Sequence, residues 1–168
     1  MTPYAAEITR AMTMLASDPR TIFIGQACRY KGTSMSGTLV GVPRDKLIEF
    51  PVAEETQMGV SIGLALTGFV PISLYTRFNF LLLAANQLVN HLDKMKAHVI
   101  VRVGIGSTHP MHPGPQHVGN MTEAFKQLCP GIEIVRIDKP LDAVPAYSMA
   151  LNRQAPSLIV EHGDFYNA

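Results

Sequence analysis

Three histidines, His109, His112 and His117, crowd into one short stretch rich in proline and glycine. Their spacing, H-x2-H-x4-H, falls on a loop and not on one face of a helix. Imidazole titrates near neutrality and can donate to an anion or oxyanion, so a substrate-facing role is the favoured reading. Zinc binding is a second reading, although no cysteine or regularly placed carboxylate completes a ligand set. Solvated loop histidines are the third. A second candidate group is Glu54-Glu55, at the head of a run of apolar and small residues. Acids favour a helix N-terminus because the macrodipole stabilises them, and that accounts for Glu55. Glu54 also closes Pro51-Val52-Ala53-Glu54, an apolar strand end. A carboxyl group placed there is withdrawn from bulk water and able to share a proton. A third group, Tyr75-Thr76-Arg77-Phe78-Asn79-Phe80, sets three aromatics at another strand end. Core packing is their ordinary explanation and the stronger one for Phe80. Phe78 is the better candidate for an aromatic face offered to a flat ligand.

Familiar phosphate and nucleophile motifs are absent. Lys31-Gly32-Thr33-Ser34 lacks the upstream glycine of a Walker loop, and Gly104-Ile105-Gly106 is not completed as a dinucleotide fingerprint. No GxSxG elbow or HExxH helix occurs.

The elements that must position these residues alternate along the chain. A helix is expected from Thr2-Pro3, with Ile8, Met12 and Leu15 on one face and Asp18-Pro19 as its stop. Strands are expected over 21–25, 47–49, 70–75, 98–103, 132–137 and 157–161. Helices are expected over 54–67, 79–95, 121–128 and 141–152, with long loops at 26–43 and 104–119. Continuous apolar strands separated by helices imply an α/β fold: a three-layer, doubly wound, mostly parallel sheet. Ligands in such folds lie at the carboxyl ends of the strands, where all three candidate groups fall. Long loops there are more often functional than accidental.

With 168 residues, 47% of them apolar, the chain suits one domain over 1–168 with a sizeable core. Fourteen basic against thirteen acidic side chains leave a formal charge of +1. That balance argues against a nucleic-acid or membrane-surface partner. Only 16% of residues are charged, below the roughly 25% of an average soluble domain, which points to a surface covered by a partner subunit. Cys28 and Cys129 lie far apart without a CxxC partner and suit a reducing compartment. No secretory stretch is visible at the start. The uncharged run 56–76 has the length of a membrane span, but Gly59, Gly63, Gly68 and Pro71 make it a buried helix followed by a buried strand. A cytoplasmic location is expected.

Three motifs in register carry a resemblance. "FPVAEETQMGVSIGLALTG" is similar to the catalytic-glutamate helix of transketolase-like thiamine diphosphate enzymes. "SLYTRFNFLLLAANQLVNHLDKM" resembles their aromatic loop and following helix, and "HPGPQHVG" their substrate-histidine loop. The likeness covers nearly the whole chain. It is nearest to the β subunit of the 2-oxoacid dehydrogenase first component and to the central, pyrimidine-binding region of transketolase.

The resemblance implies specific roles. Glu54 would hydrogen-bond the cofactor's aminopyrimidine ring, because it precedes Gly59 by the family's five positions, as Glu55 does not. Phe78 would stack on that ring, with Phe80 also in the cofactor-binding set. Tyr75, His112 and His117 would face the substrate, His117 as a catalytic contact to its oxyanion. The sequence departs from the family in three places. Gln26 follows Gly25 where an acid is common, and the GDG…Asn motif that holds diphosphate and Mg2+ is absent, His162-Gly163-Asp164 not supplying it. The chain also ends at Ala168, where the dehydrogenase subunits continue. The expectation is therefore a pyrimidine-binding subunit of a split enzyme. A separate diphosphate-binding subunit would hold most of the Mg2+ site, in an α2β2 heterotetramer. The reaction would transfer a two-carbon ketol or acyl unit through a thiamine-bound carbanion, from a small 2-oxo acid, ketose or aldehyde. A 2-oxoacid decarboxylase-type β-like subunit is the alternative. A non-catalytic assembly subunit and a histidine-loop metallohydrolase are rivals from other classes.

Overall fold

A computed structural model describes residues 1–30, 32–109 and 111–166. Helix α1 (Pro3–Ala16) starts where the Thr2 hydroxyl accepts the Ala5 N–H at 3.1 Å, with Pro3 supplying a pre-set φ. Strand β1 (Thr21–Gly25) follows, then a short helix α2 (Ser34–Gly37), strand β2 (Leu47–Glu49) and helix α3 (Glu54–Leu66). Strand β3 (Val70–Tyr75) leads into helix α4 (Phe78–Leu82), a π-helical turn (Gln87–Leu92) and α5 (Asp93–Met95). The second half runs β4 (Ile100–Ile105), α6 (Thr122–Leu128), β5 (Glu133–Ile137), α7 (Ala143–Asn152) and β6 (Ser157–His162).

The six strands form one sheet in the order β2-β1-β3-β4-β6-β5, and every pairing is parallel. Phe23 of β1 sits between Leu47 of the edge strand β2 and Ile72 of β3, which fixes the register on that side of the sheet. The chain leaves β1 towards β2 but leaves β3 towards β4, so the connections diverge between β1 and β3. Crevices in open α/β sheets form at such a reversal. Helices α1 and α7 cover one face, burying Ile8, Met12, Leu15, Phe23, Ile72, Tyr147 and Ile159 together. Helices α3 to α6 cover the other, over Met58, Phe78, Leu81, Val101, Val103, Phe125 and Val160. The fold is thus the expected three-layer α/β arrangement, with the sheet fully parallel.

Beyond shifts of one or two residues at element ends, three differences from the sequence reading bear on the site. The single helix expected over 79–95 starts one residue earlier, turns at 83–84 and passes through the π-helical turn. Its apolar residues Leu81, Leu88 and Leu92 are buried as a helical face should be, but a π-turn adds a residue that a 3.6-residue count does not show. The loop at 26–43 contains α2, nucleated by a capping box in which Thr33 and Ser36 satisfy each other's backbone N–H groups. Strand β4 continues to Ile105, so the histidine loop begins after it and not at Gly104.

Candidate active site

Helix α3 begins at the β1–β3 reversal, and its first turn carries both glutamates. Their environments are opposite. Glu55 is exposed and accepts the Asn86 amide at 3.2 Å, while Glu54 is only 8% exposed. No protein group hydrogen-bonds the Glu54 carboxyl among the described residues. It borders a slot lined by Gln26, Pro51, Gln57, Tyr75, Thr76 and Phe80. With no protein partner, the carboxyl of this largely buried residue keeps its hydrogen-bonding capacity for whatever enters the slot.

The slot is held by side chains one turn further along α3. Gln57 donates its amide to Leu74 O at 2.9 Å and to Ser73 Oγ at 3.1 Å, clamping α3 to β3. Tyr75 donates its hydroxyl to the Glu54 backbone carbonyl at 3.2 Å. Burial, helped by the nearby Glu54 charge, pushes the Tyr75 phenol well up, so it stays a neutral donor. Across the rim, Glu49 accepts the backbone N–H groups of Ala27 and Arg29 at 2.6 and 2.8 Å, shaping the loop that carries Gln26.

His117 approaches from the histidine loop. Its ring centroid lies 5.9 Å from that of Phe80, its Nδ1 lies 3.3 Å from Asn79 Oδ1, and its carbonyl accepts from Arg77 at 3.4 Å. Phe80 therefore links the glutamate slot to the histidine loop, and the structure brings Glu54, Tyr75, Phe80 and His117 to one strand-end rim.

The structure places three of the predicted site residues away from an open ligand-facing position. Phe78, expected to offer an aromatic face, is fully buried and packs on Phe125 with centroids 5.4 Å apart. The reason is helical phase: α4 starts at Phe78, so two residues turn the chain by about 200° and it is Phe80 that faces the slot. An extended strand end would have put both rings on one side. Tyr75 borders the slot, but its hydroxyl is committed to Glu54 and is not free for a substrate. His112 is exposed, and its Nδ1 accepts the Gly114 N–H of its own loop at 3.1 Å. Gln57, Asn79, Arg77 and Glu49 were not singled out from sequence. Only Gln57 carried a usable signal, its i+3 spacing from Glu54 on one helix face.

Among the described residues, no three His, Cys, Asp or Glu side chains gather as a metal site, and no helix is long and apolar enough to cross a membrane. A parallel α/β sheet with a buried, unpartnered carboxyl at its strand-order reversal, next to an aromatic and a histidine, defines the class. The chain matches the family described as "Transketolase, pyrimidine binding domain" over residues 4–167, and it belongs to that family. It is 27% identical over 162 residues to a pyruvate dehydrogenase E1 component subunit beta of Staurastrum punctulatum, covering 89% of this chain and 48% of that protein. With the corresponding subunit of Porphyra purpurea it shares 31% identity over 131 residues, covering 73% and 38%. The chain thus spans about half the length of such curated relatives or less. Among solved structures, a split-gene transketolase in an inactive β4 tetramer superposes with a TM-score of 0.77 at 16% identity, over 94% of this chain and 50% of that one. Transketolase from Campylobacter jejuni superposes with a TM-score of 0.74 at 21% identity, over 94% and 25%. Those two likenesses concern the fold.

Proposed function

We propose that residues 1–168 form the pyrimidine-binding half of a split thiamine diphosphate enzyme. In this reading it transfers a two-carbon ketol or acyl unit together with a separate diphosphate-binding subunit. The observation that carries the reading is Glu54, a largely buried residue at the head of α3 whose carboxyl has no protein partner among the described residues. Its fit to the cofactor is chemical: the aminopyrimidine ring is flat and offers both nitrogen donors and acceptors. Glu54 would share a proton with a ring nitrogen, and Phe80 would offer the ring an apolar face. His117 reaches the same rim and donates to the substrate's developing oxyanion. Gln57 and Tyr75 hold the glutamate's turn in place. When bound, thiamine diphosphate supplies a nucleophilic carbon and a sink for the electron pair released from the substrate. In this reading the Mg2+ and the diphosphate would be held by the partner subunit.

The names of the relatives favour a second reading, a 2-oxoacid decarboxylase-type β-like subunit acting on the same rim. An α2β2 assembly is part of both. That a solved split-gene transketolase is an inactive β4 tetramer supports the need for an α-type partner. Two free, buried cysteines suit a reducing compartment such as the cytoplasm. The test is Glu54→Gln in the complex reconstituted with the diphosphate-binding subunit, thiamine diphosphate and Mg2+. Turnover of ketose phosphates and 2-oxo acids should fall at least a hundredfold, on the order of general acid–base contributions. Full activity would overturn the assignment, and the preferred substrate separates the two readings.

A further inference from the structure

Beside the Glu54 slot, and sharing only Thr76 with it, lies a second cavity of ≈ 260 Å³ at the ends of β3 and β4. Met35, Arg77, Gly104, Ser107 and His109 are among the residues that line it. His109 is exposed, and nothing in the proposed function uses it. Behind its ring stands an arrangement built with unusual closeness. Gly106 and Ser107 both adopt positive φ, +71° and +68°. A Cβ on Gly106 would come within 2.5 Å of Asp164 Oδ2, and one on Gly163 within 2.6 Å of Ser107 Cβ. The serine's left-handed backbone costs about 1 kcal/mol, so the surrounding contacts must hold it.

What those contacts secure is a hydrogen-bond relay. Asp164 Oδ1 accepts the backbone N–H of Thr108 at 2.5 Å and the Thr108 hydroxyl at 2.8 Å. The same hydroxyl oxygen lies 3.0 Å from His109 Nδ1, and Asp164 Oδ1 itself lies 3.6 Å from that nitrogen. Burial pushes the Asp164 carboxyl up, but the Thr108 hydroxyl and amide, then His109, outweigh it and hold the group below the ordinary carboxylate range. An ionised carboxylate only accepts, and a threonine hydroxyl has one proton to give. The proton goes to Asp164, so Thr108 Oγ1 must accept from His109, which places the ring proton on Nδ1.

We propose that Asp164 is a positioning residue. Acting through the Thr108 hydroxyl, it fixes His109 as the Nδ1–H tautomer and leaves the Nε2 lone pair free to accept a hydrogen bond from a substrate hydroxyl in the second cavity. The substrate's use of that cavity rests on the function proposed above; the tautomer does not.

The experiment is long-range proton–nitrogen NMR on the full chain with 15N-labelled histidine, at about pH 9 where an ordinary imidazole is neutral. His109→Gln assigns the signal. Wild-type His109 should be mainly Nδ1–H. In Asp164→Ala the Thr108 hydroxyl loses the carboxylate it donates to, turns to donate to the ring, and the major tautomer becomes Nε2–H. An unchanged tautomer overturns the proposal. Thr108→Val should also abolish the Nδ1–H preference without touching Asp164, and Thr108→Ser should restore it. In the reconstituted complex, Asp164→Ala should lower kcat/KM about tenfold or more, with Thr108→Ser near wild type. A switched tautomer with unchanged kcat/KM would refute the positioning role. Failure of the functional reading looks different: Glu54→Gln keeps full turnover, and the His109 tautomer stays as it was.

Discussion

The exchange of roles between Phe78 and Phe80 can be tested by separating stability from cofactor affinity. Phe78, the first residue of α4, has no solvent-exposed surface and packs on Phe125. Truncating such a ring to alanine removes its transfer free energy and leaves a cavity, together about 3–5 kcal/mol. For a chain of this size each kcal/mol is worth roughly 2–4 °C, so Phe78→Ala should melt about 6–20 °C below wild type. Phe80 is only partly buried and borders the slot. Burying a whole phenylalanine side chain is worth about 1.5–3 kcal/mol, so Phe80→Ala should cost about half of that and a few degrees of melting temperature. Its larger effect should fall on the cofactor. Losing a ring–ring contact costs about 0.5–1.5 kcal/mol beyond the area lost, and each 1.4 kcal/mol is tenfold in affinity.

Two titrations decide the matter: thermal melting of each variant, and the concentration of thiamine diphosphate giving half-maximal turnover in the reconstituted complex. Phe80→Ala should raise that concentration roughly tenfold with a small melting shift. Phe78→Leu, milder than alanine, should lower the melting temperature while leaving the cofactor requirement near wild type. If Phe78→Leu raised the cofactor requirement more than Phe80→Ala did, the helical-phase argument would be refuted.

Two further outcomes follow from buried polar groups away from the rim. Arg102 of β4 and Glu161 of β6 are fully buried and doubly bonded, both contacts at 2.9 Å, with the Tyr147, Tyr166 and Thr38 hydroxyls completing the cluster. Glu161→Gln should destabilise the fold by about 3–5 kcal/mol in urea titrations because it strands the arginine's charge, whereas a cost below 1 kcal/mol would mean that water reaches the pair. Burial, with Glu49 beside it, pushes the Cys28 thiol up to about 12, and burial with Asp93 beside it pushes Cys129 up to about 11. Both should therefore resist iodoacetamide at about pH 8 in the folded protein and react fully in denaturant; rapid labelling of the native chain would contradict this.

The fold was legible because its signals are local and repeated. The strands are rich in apolar and β-branched residues, and the segments between them carry helical patterns or turn residues. Glu54 could be separated from Glu55 by its apolar approach, and the structure gives the two glutamates different surroundings. What the sequence obscured depends on phase and on distant partners. Phe78 and Phe80 exchange roles through a one-residue shift in a helix start. Thr108 and Asp164 are far apart in the chain and meet only because β4 and β6 are neighbours in a sheet whose order sequence does not state. The Arg102–Glu161 pair is hidden for the same reason: its members sit within apolar strands, where an isolated charge reads as an edge or an end.

The low charge fraction acquires a location on this fold. Helix α3 begins at the buried Glu54, yet it ends with Leu66 exposed and leaves Gly63 with no atom near the position of a Cβ. Leu82 and Leu83, just beyond the aromatic turn, are exposed as well. Large exposed apolar side chains that gather into a patch mark interaction surface, and these three are candidates for one. On the proposed reading, the helix that presents Glu54 to the cofactor also presents its outer side to another subunit. Covering that side would exclude water from the slot's open rim and fix the position of α3 in the same step. Association and cofactor activation would then be one equilibrium: a substitution of Leu66 or Leu83 by a charged residue should weaken assembly and raise the cofactor requirement together, although neither side chain lines the slot.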